Sequence, residues 1–434
     1  MIYRSTFNPK VRANFEEAVF RGLPDAKGLY MPENIPDLPS NFIKDLGQHS
    51  LTEIAYNVLK PYLEGSIDAE SLNDIVSDTL SFPIPLTPVH DHVLSLELFH
   101  GPTLAFKDVG ARFLARTLGY FAAEKNRETT VLVATSGDTG SAVAHGFYEV
   151  PNVNVVVLYP KGKVSDFQRK QMTTLGKNIQ AIEIDGVFDD CQNLVKQAFL
   201  DTDLRENKTL TSANSINVAR FLPQMVYYFW AISQIQRNYP EHKQSPTYFT
   251  VPSGNYGNIT AGLFAHRMGL DIQGFIAAAN SNDSFPKYLE SGSYVAQPSV
   301  ATLSNAMDVG DPSNVRRIQD LFSHDIQRIR QVIQSKSYTD VQCLQAIEKV
   351  YTTHNYLLDP HGAIAYNACE LVPKNGLSII LETAHPIKFK EVVESVIPDA
   401  VPMPSHISAQ SDHEFKISMT SDFDSFKEYL LSNV

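Results

Sequence analysis

A chain of 434 residues with 43% apolar and 19% charged residues has material for more than one core, so two or three globular domains are expected. A formal charge of −12 argues against a protein whose main task is holding nucleic acid, while local donors can still grip a small phosphorylated ligand. Three scattered cysteines, Cys191, Cys343 and Cys369, make neither a disulfide framework nor a zinc-like spacing, and the N-terminus carries no apolar signal segment. Reduced thiols and a cytoplasmic setting are therefore expected.

Residues 1–95 read as a mostly helical first domain, with helical patterns around Phe15–Arg21 and Leu51–Leu63. The proline-rich stretch SFPIPLTPVHDH (81–92) then predicts a linker or an edge segment. In HGPTLAFKDVGARF (100–113) an apolar run leads straight into Lys107, just beyond a Gly-Pro break. A snorkelling side chain would fit there. So would a desolvated amine, which burial turns into a better base or nucleophile.

From about residue 128 a unit repeats: a β-branched run, a polar or glycine-rich turn, then a helical pattern. TVLVA precedes TSGDTG (135–140), NVVVLY precedes PKGKVS (160–165), and IQAIEI precedes a helix ending near Phe199. The apolar stretch FLPQMVYYFWAISQI is too short to span a bilayer and reads as a buried helix. TYFTV precedes PSGNYGN (252–258), and LSIIL leads into ETAHP (382–386) and a helix at KFKEVVESV. Residues 310–358 read as mostly helical, and the tail after Pro398 as irregular before a short helix. Such alternation predicts two parallel α/β domains, over 96–235 and 236–434 with approximate and possibly interleaved bounds. Ligands in such sheets bind beyond the C-terminal strand ends.

TSGDTG and PSGNYGN are both strand–glycine–helix junctions suited to anions, although TSGDTG would equally serve as an ordinary helix cap. No dinucleotide fingerprint, Walker loop or G-x-S-x-G elbow occurs, and His90 with His92 lacks the companions of a metal site. Lys163, Asn217, Arg220 and His385 each read alone as ordinary polar groups. An isolated lysine, two anion loops and a hydroxyl after a late strand together suggest pyridoxal phosphate, which needs a Schiff-base lysine, a phosphate cup and a ring-nitrogen partner.

ELFHGPTLAFKD, ATSGDTG, YPKGK, GVFDDCQ, SANSIN, VPSGNYGN, TLSNAMDVGDPSN and TAHP follow one another in an order that closely resembles the threonine synthase family. That family is pyridoxal-phosphate dependent and of the fold-type II, tryptophan-synthase-like kind. The resemblance runs from GLYMPE (28–33) to KFKE (388–391). It implies an α/β fold with the cofactor in the cleft between two domains, and O-phospho-L-homoserine converted with water to L-threonine and phosphate. By the same resemblance Lys107 is the cofactor lysine and proton carrier, and Gly254, Asn255, Tyr256, Gly257 and Asn258 form the phosphate cup. Thr383 faces the pyridine nitrogen, Asp138 lies near the ring 3′-oxygen, and Thr135, Ser136 and Thr139 receive the substrate carboxylate. Lys163, Ser165, Asn217 and Arg220, with Arg169, are candidates for the substrate phosphate.

Tyr256 and Asn258 stand where Phe and Asp are more usual, and Glu382 stands where a small residue is common; its carboxyl is expected to point away from the ring. The alternatives are a sister lyase, such as a serine/threonine dehydratase, and a silent binding protein. A small-molecule substrate, no metal, no membrane or nucleic-acid partner, and a monomer or small homo-oligomer complete the expectation.

Overall fold

The computed structural model describes residues 1–25, 28–126, 128–404 and 413–434. Three short strands open the chain: β1 (Ile2–Ser5), β2 (Arg12–Asn14) and β3 (Tyr30–Pro32), in an antiparallel sheet ordered β2-β1-β3. The first domain is thus less purely helical than its sequence suggests. Strands of three or four residues with mixed polarity leave no period to read. Its helices start where the caps are. Asn14 and Glu17 form a reciprocal capping box for Phe15–Arg21, and Ser50 and Glu53 do so for Leu51–Leu63.

The proline-rich stretch becomes β4 (Leu86–His90), which turns back antiparallel onto β5 (Val93–Glu97). β4 is the edge of its sheet, the place where Pro88 forfeits least by lacking an N–H. The repeating units supply β6 (Thr129–Ala134), β7 (Val153–Pro160), β8 (Ile179–Asp185), β9 (Leu210–Ser212), β10 (Thr247–Pro252) and β11 (Gly274–Ala279). β12 (Ile333–Ser337), β13 (Leu377–Glu382) and β14 (Lys416–Thr420) follow.

Two larger sheets result. One has six strands in the order β12-β11-β10-β13-β5-β4, parallel except for β4; the other has five parallel strands in the order β14-β8-β7-β6-β9. β6, β11 and β13 are buried along their whole length and β10 at every position but Tyr248, which is why they read as mostly apolar runs rather than alternating ones. Sheet membership cuts across the bounds at 95/96 and 235/236. β4 and most of β5 lie before residue 96 yet complete the six-stranded sheet, and β14 returns from the C-terminus to the five-stranded one. β12 and β14 are polar edge strands, and this is why the reading of 310–358 as helical and of the tail as irregular passed over them.

The buried helix read at FLPQMVYYFWAISQI spans Met225–Asn238. It packs with Lys107–Lys125 in a core that joins the first domain to inner faces of both sheets. Separate clusters fill the outer faces, beneath helices Asp340–His354 and Pro360–Ala368 on one sheet and Phe188–Leu200 on the other. Among the described residues no helix is long and apolar enough to cross a membrane.

Candidate active site

The apolar run before Lys107 is a strap between the sheets. Leu104 takes a left-handed φ of 60°, Ala105 bridges Ala384, the Phe106 amide donates to Thr383 O at 2.9 Å, and the His385 amide to Leu104 O at 3.0 Å. Tyr227 Oη donates to Phe106 O at 2.8 Å. The Gly-Pro turn is closed by Asp108, which accepts from Thr103 N at 2.9 Å and Thr103 Oγ1 at 2.5 Å; a Cβ on Gly101 would lie 2.5 Å from that carboxylate. Lys107 therefore opens its helix from a fixed point.

Its Nζ lies 3.6 Å from Asp138 Oδ2. Burial, above all, lowers the proton affinity of this amine; Asp138 opposes that, and Lys388 and Arg220 reinforce it. With its side chain only 15% exposed and two cations nearby, the amine fits the desolvated reading better than the snorkelling one.

TSGDTG turns sharply after β6, with Gly137 at φ 140°. Thr135 Oγ1 accepts from the amides of Gly137 (2.9 Å) and Gly140 (2.8 Å), folding the loop around itself. Asp138 begins helix Asp138–Phe147 and is buried, receiving Lys388 Nζ at 2.7 Å and Gln168 Nε2 at 2.8 Å on Oδ1. Burial by itself would raise this carboxyl; the ammonium of Lys388, and after it that of Lys107, overcome burial and hold it below the usual carboxylate range. The amides of Ser136, Asp138 and Thr139 find no acceptor among the described residues, so three donors converge at a helix N-terminus.

PSGNYGN repeats the device after β10. Tyr256, at φ 59°, caps helix Gly257–Arg267, and none of the amides of Gly254, Asn255, Tyr256, Gly257 and Asn258 has an acceptor among the described residues. A Cβ on Gly254 would sit 2.7 Å from Ala306 O and 2.8 Å from Met307 Cα, so the TLSNAMDVG segment presses directly on the cradle. The side chains point elsewhere. Asn258 binds Pro252 O (2.8 Å) and Ile259 N (2.9 Å), Asn255 ties Ser215 to the Ser313 amide, and Tyr256 packs on Phe285 at 4.5 Å. The free donors of this loop are its backbone amides, so the side chains of Tyr256 and Asn258 leave that row of donors unchanged.

Thr383 is buried just beyond β13, with its carbonyl held by the Phe106 amide. Glu382 faces the opposite way: Oε1 accepts from the Asp359 amide at 3.3 Å, and a Cβ on Gly362 would fall 2.1 Å from it. Asp359 in turn pairs with His361. Burial first, and the charge of Asp359 second, raise the Glu382 carboxyl well above its usual range.

The substrate-phosphate candidates divide. Lys163 is exposed after β7. Ser165 caps helix Asp166–Thr173, accepting from the Gln168 amide at 3.3 Å, and Arg169 is paired with Glu414 and Asp166. Asn217 corrects the reading. It is fully buried, Nδ2 donates to Val19 O (3.0 Å) and Ser212 O (3.1 Å), and Oδ1 accepts from Ala219 N (3.0 Å). Every polar group it has is committed to backbone, so it caps helix Val218–Phe221 and has none left for a substrate. Arg220 is buried, bound to Ala213 O through Nη1 and without a partner on Nε; burial lowers its pKa to about 10.

Sequence reading passed over Lys388, Gln168, His361 and Arg317. Lys388 carried a signal: it stands between Ile387 and Phe389, the same apolar setting that singles out Lys107. Arg317 did not. It is buried among loops, donating to Tyr30 O (3.1 Å), Ile216 O (2.8 Å) and Asn314 Oδ1 (2.6 Å).

A desolvated lysine, a five-amide cradle too close-packed for a Cβ, and a hydroxyl residue at a strand end beside the lysine fit pyridoxal phosphate. Family models match in the same sense: "Pyridoxal-phosphate dependent enzyme" over residues 86–378, "Threonine synthase N terminus" over 2–80 and "Threonine synthase, C-terminal" over 362–429. The chain is 43% identical to the threonine synthase of Haemophilus influenzae over 98% of both chains. It superposes on the crystal structure of threonine synthase from Escherichia coli with a TM-score of 0.92, at 38% identity and covering all of both chains. The PLP-bound threonine synthase from Brucella melitensis gives 0.93, at 34% identity over 99% of each. From the cradle and the lysine through to the full-length likeness, these findings agree: the chain belongs to the threonine synthase family of pyridoxal-phosphate dependent enzymes.

Proposed function

We propose a division of labour among this chain's own residues for the activity of its family, the conversion of O-phospho-L-homoserine and water to L-threonine and phosphate. Lys107 would hold the cofactor through its amine, and the same amine would move protons at the substrate carbons. The amides of Gly254–Asn258 would bind the cofactor phosphate, and Thr383 would offer a neutral hydroxyl to the ring nitrogen. When bound, pyridoxal phosphate supplies the electron sink that makes those carbon acids accessible. Asp138 orients the ring oxygen side, and the free amides of Ser136, Asp138 and Thr139, with the hydroxyls of Thr135, Ser136 and Thr139, receive the substrate carboxylate. Lys163 and Ser165 approach the substrate phosphate from the rim, with Arg220 adding positive potential beneath Lys107.

One observation carries this reading. The desolvated Lys107 stands 3.6 Å from Asp138 and directly after the strap bound to Thr383, where strand ends of both sheets meet. Borohydride reduction of the loaded protein followed by peptide mapping should leave the pyridoxyl group on Lys107. Labelling of the neighbouring Lys388, or of no lysine, overturns it. Turnover of O-phosphohomoserine to threonine and phosphate, with homoserine inert, separates this reading from both a dehydratase and a silent binding protein.

A further inference from the structure

Lys388 has no part in that division of labour, yet it is the most thoroughly built cation in the centre. It lies in the turn Pro386–Phe389 after β13, with its side chain 0% exposed. Its ammonium reaches Asp138 Oδ1 at 2.7 Å, Thr103 O at 2.8 Å and Gln171 Oε1 at 3.4 Å. An ammonium has three protons, and each finds an acceptor. Asp138 follows β6 and Gln171 sits on helix Asp166–Thr173, so these contacts cross from one large sheet to the other.

The distances are unequal. Asp138 is 2.7 Å from Lys388 but 3.6 Å from Lys107. Lys107 is faced by Asp138, Lys388 and Arg220; Asp138 by Lys388, Lys107 and His361; and Lys388 also faces Asp108 and His145. Two lysines thus share one near carboxylate in a buried place. If both kept their protons, two positive charges would crowd one carboxylate where water reaches only the Lys107 side, at a cost. The ammonium with fewer acceptors is that of Lys107, and it is the one whose proton affinity its surroundings lower.

We propose that Lys388 is a positioning residue that takes Asp138 as its own counter-ion and so leaves Lys107 free to work as a neutral amine. Without Lys388, Lys107 becomes the nearest counter-ion of Asp138 and holds its proton more tightly. The proposal rests on the reading of Lys107 as the cofactor lysine, and its test is independent of that reading.

In the full chain stripped of cofactor, the rate at which a limiting amine-acylating reagent modifies Lys107 is followed against pH by peptide mapping. In the unmodified protein the midpoint should fall below the ordinary lysine value of about 10.4. Lys388→Gln and Lys388→Met should raise it by about one pH unit or more, and carry the acid limb of the kcat/KM profile of the reloaded enzyme in the same direction. Lys388→Arg, which keeps the charge, should return it to within about half a unit of the parent. A parent midpoint at or above the ordinary value overturns the proposal without any variant. So does a folded Lys388→Gln protein with an unmoved midpoint, the outcome of a merely structural role, and so does an Arg variant as shifted as the Gln variant. Borohydride mapping to another lysine would overturn the cofactor assignment alone, because the acylation midpoint is read at Lys107 whatever binds there.

Discussion

Replacing Asp138 by Asn is the most searching test of the charges around Lys107. The two side chains have one shape, and the Asn carbonyl still accepts Gln168 Nε2 at the site where Asp138 Oδ1 now takes it at 2.8 Å. What disappears is the negative charge, 2.7 Å from Lys388 and 3.6 Å from Lys107. Asp138 and Lys388 have side chains 3% and 0% exposed, so solvent screening gives little relief. Breaking a buried pair by removing one partner costs about 3–5 kcal/mol. The variant can recover part of that by deprotonating a lysine, which makes the loss depend on pH in a definite direction. Folded-state lysines left without a counter-ion have depressed pKa values, while the unfolded chain binds the proton up to about pH 10.4. The unfolded state then holds more protons, and the variant gains stability as pH rises. In the parent, Asp138 has a depressed pKa, so its contribution is present above about pH 3.9, the unfolded value, and is lost as pH falls through the folded one. Urea unfolding read by circular dichroism should therefore show a loss of about 3 kcal/mol or more at pH 6 that shrinks by pH 9. A loss under about 1 kcal/mol at pH 6, or one that grows towards pH 9, would refute the reasoning.

Gly254→Ala should push the cradle off Ala306 and Met307 and weaken pyridoxal phosphate binding by about ten- to a hundredfold, as one charge-assisted amide bond of roughly 1.5–3 kcal/mol is lost; unchanged affinity in a dialysis titration would count against the cup. Thr383→Val should keep the cofactor bound but shift its visible band and abolish most turnover, and a fully active variant with an unchanged spectrum would place the ring-nitrogen partner elsewhere. Lys163→Ala should raise KM for O-phosphohomoserine by about one order of magnitude with the spectrum intact, so an indifferent variant removes Lys163 from the phosphate site. Glu382→Gln probes the far side of the same strand end: burial, and then Asp359, raise the carboxyl, so its neutral form stabilises below the unfolded pKa of about 4.3 and that stability fades as pH climbs through the folded value. The Gln variant should gain on its parent in melting temperature between pH 5 and pH 8, and a gap that closes over that range would contradict the buried neutral acid.

The loops that frame the candidate site were legible because their geometry is local. Lys107, TSGDTG and PSGNYGN each lie at a strand–loop–helix junction whose residues announce a tight turn, and a free row of amides follows from that turn alone. Long buried strands were legible for the same reason, since near-complete burial leaves a mostly apolar run. The phosphate side was less so. Asn217 and Arg220 stand three residues apart beside the loops, but whether an amide faces a ligand or a neighbouring carbonyl depends on Val19, about two hundred residues away. β14 likewise joins the five-stranded sheet only through pairing with β8. No local pattern encodes such partners.

Lys388 shows where the limit lies. Its flanks, Ile387 and Phe389, gave the same hint as the run before Lys107, and apolar flanks on a lysine foretell burial equally well in both places. They do not foretell which lysine keeps its proton. That is decided by acceptors supplied from elsewhere in the chain: Thr103 and Gln171 for Lys388, in addition to the nearer oxygen of Asp138. A single carboxylate set closer to one of two amines pairs with that one first and leaves the other less neutralised. The asymmetry between 2.7 Å and 3.6 Å is thus a property of the seam between the sheets, since Lys388 hangs from β13 of one and Asp138 from β6 of the other.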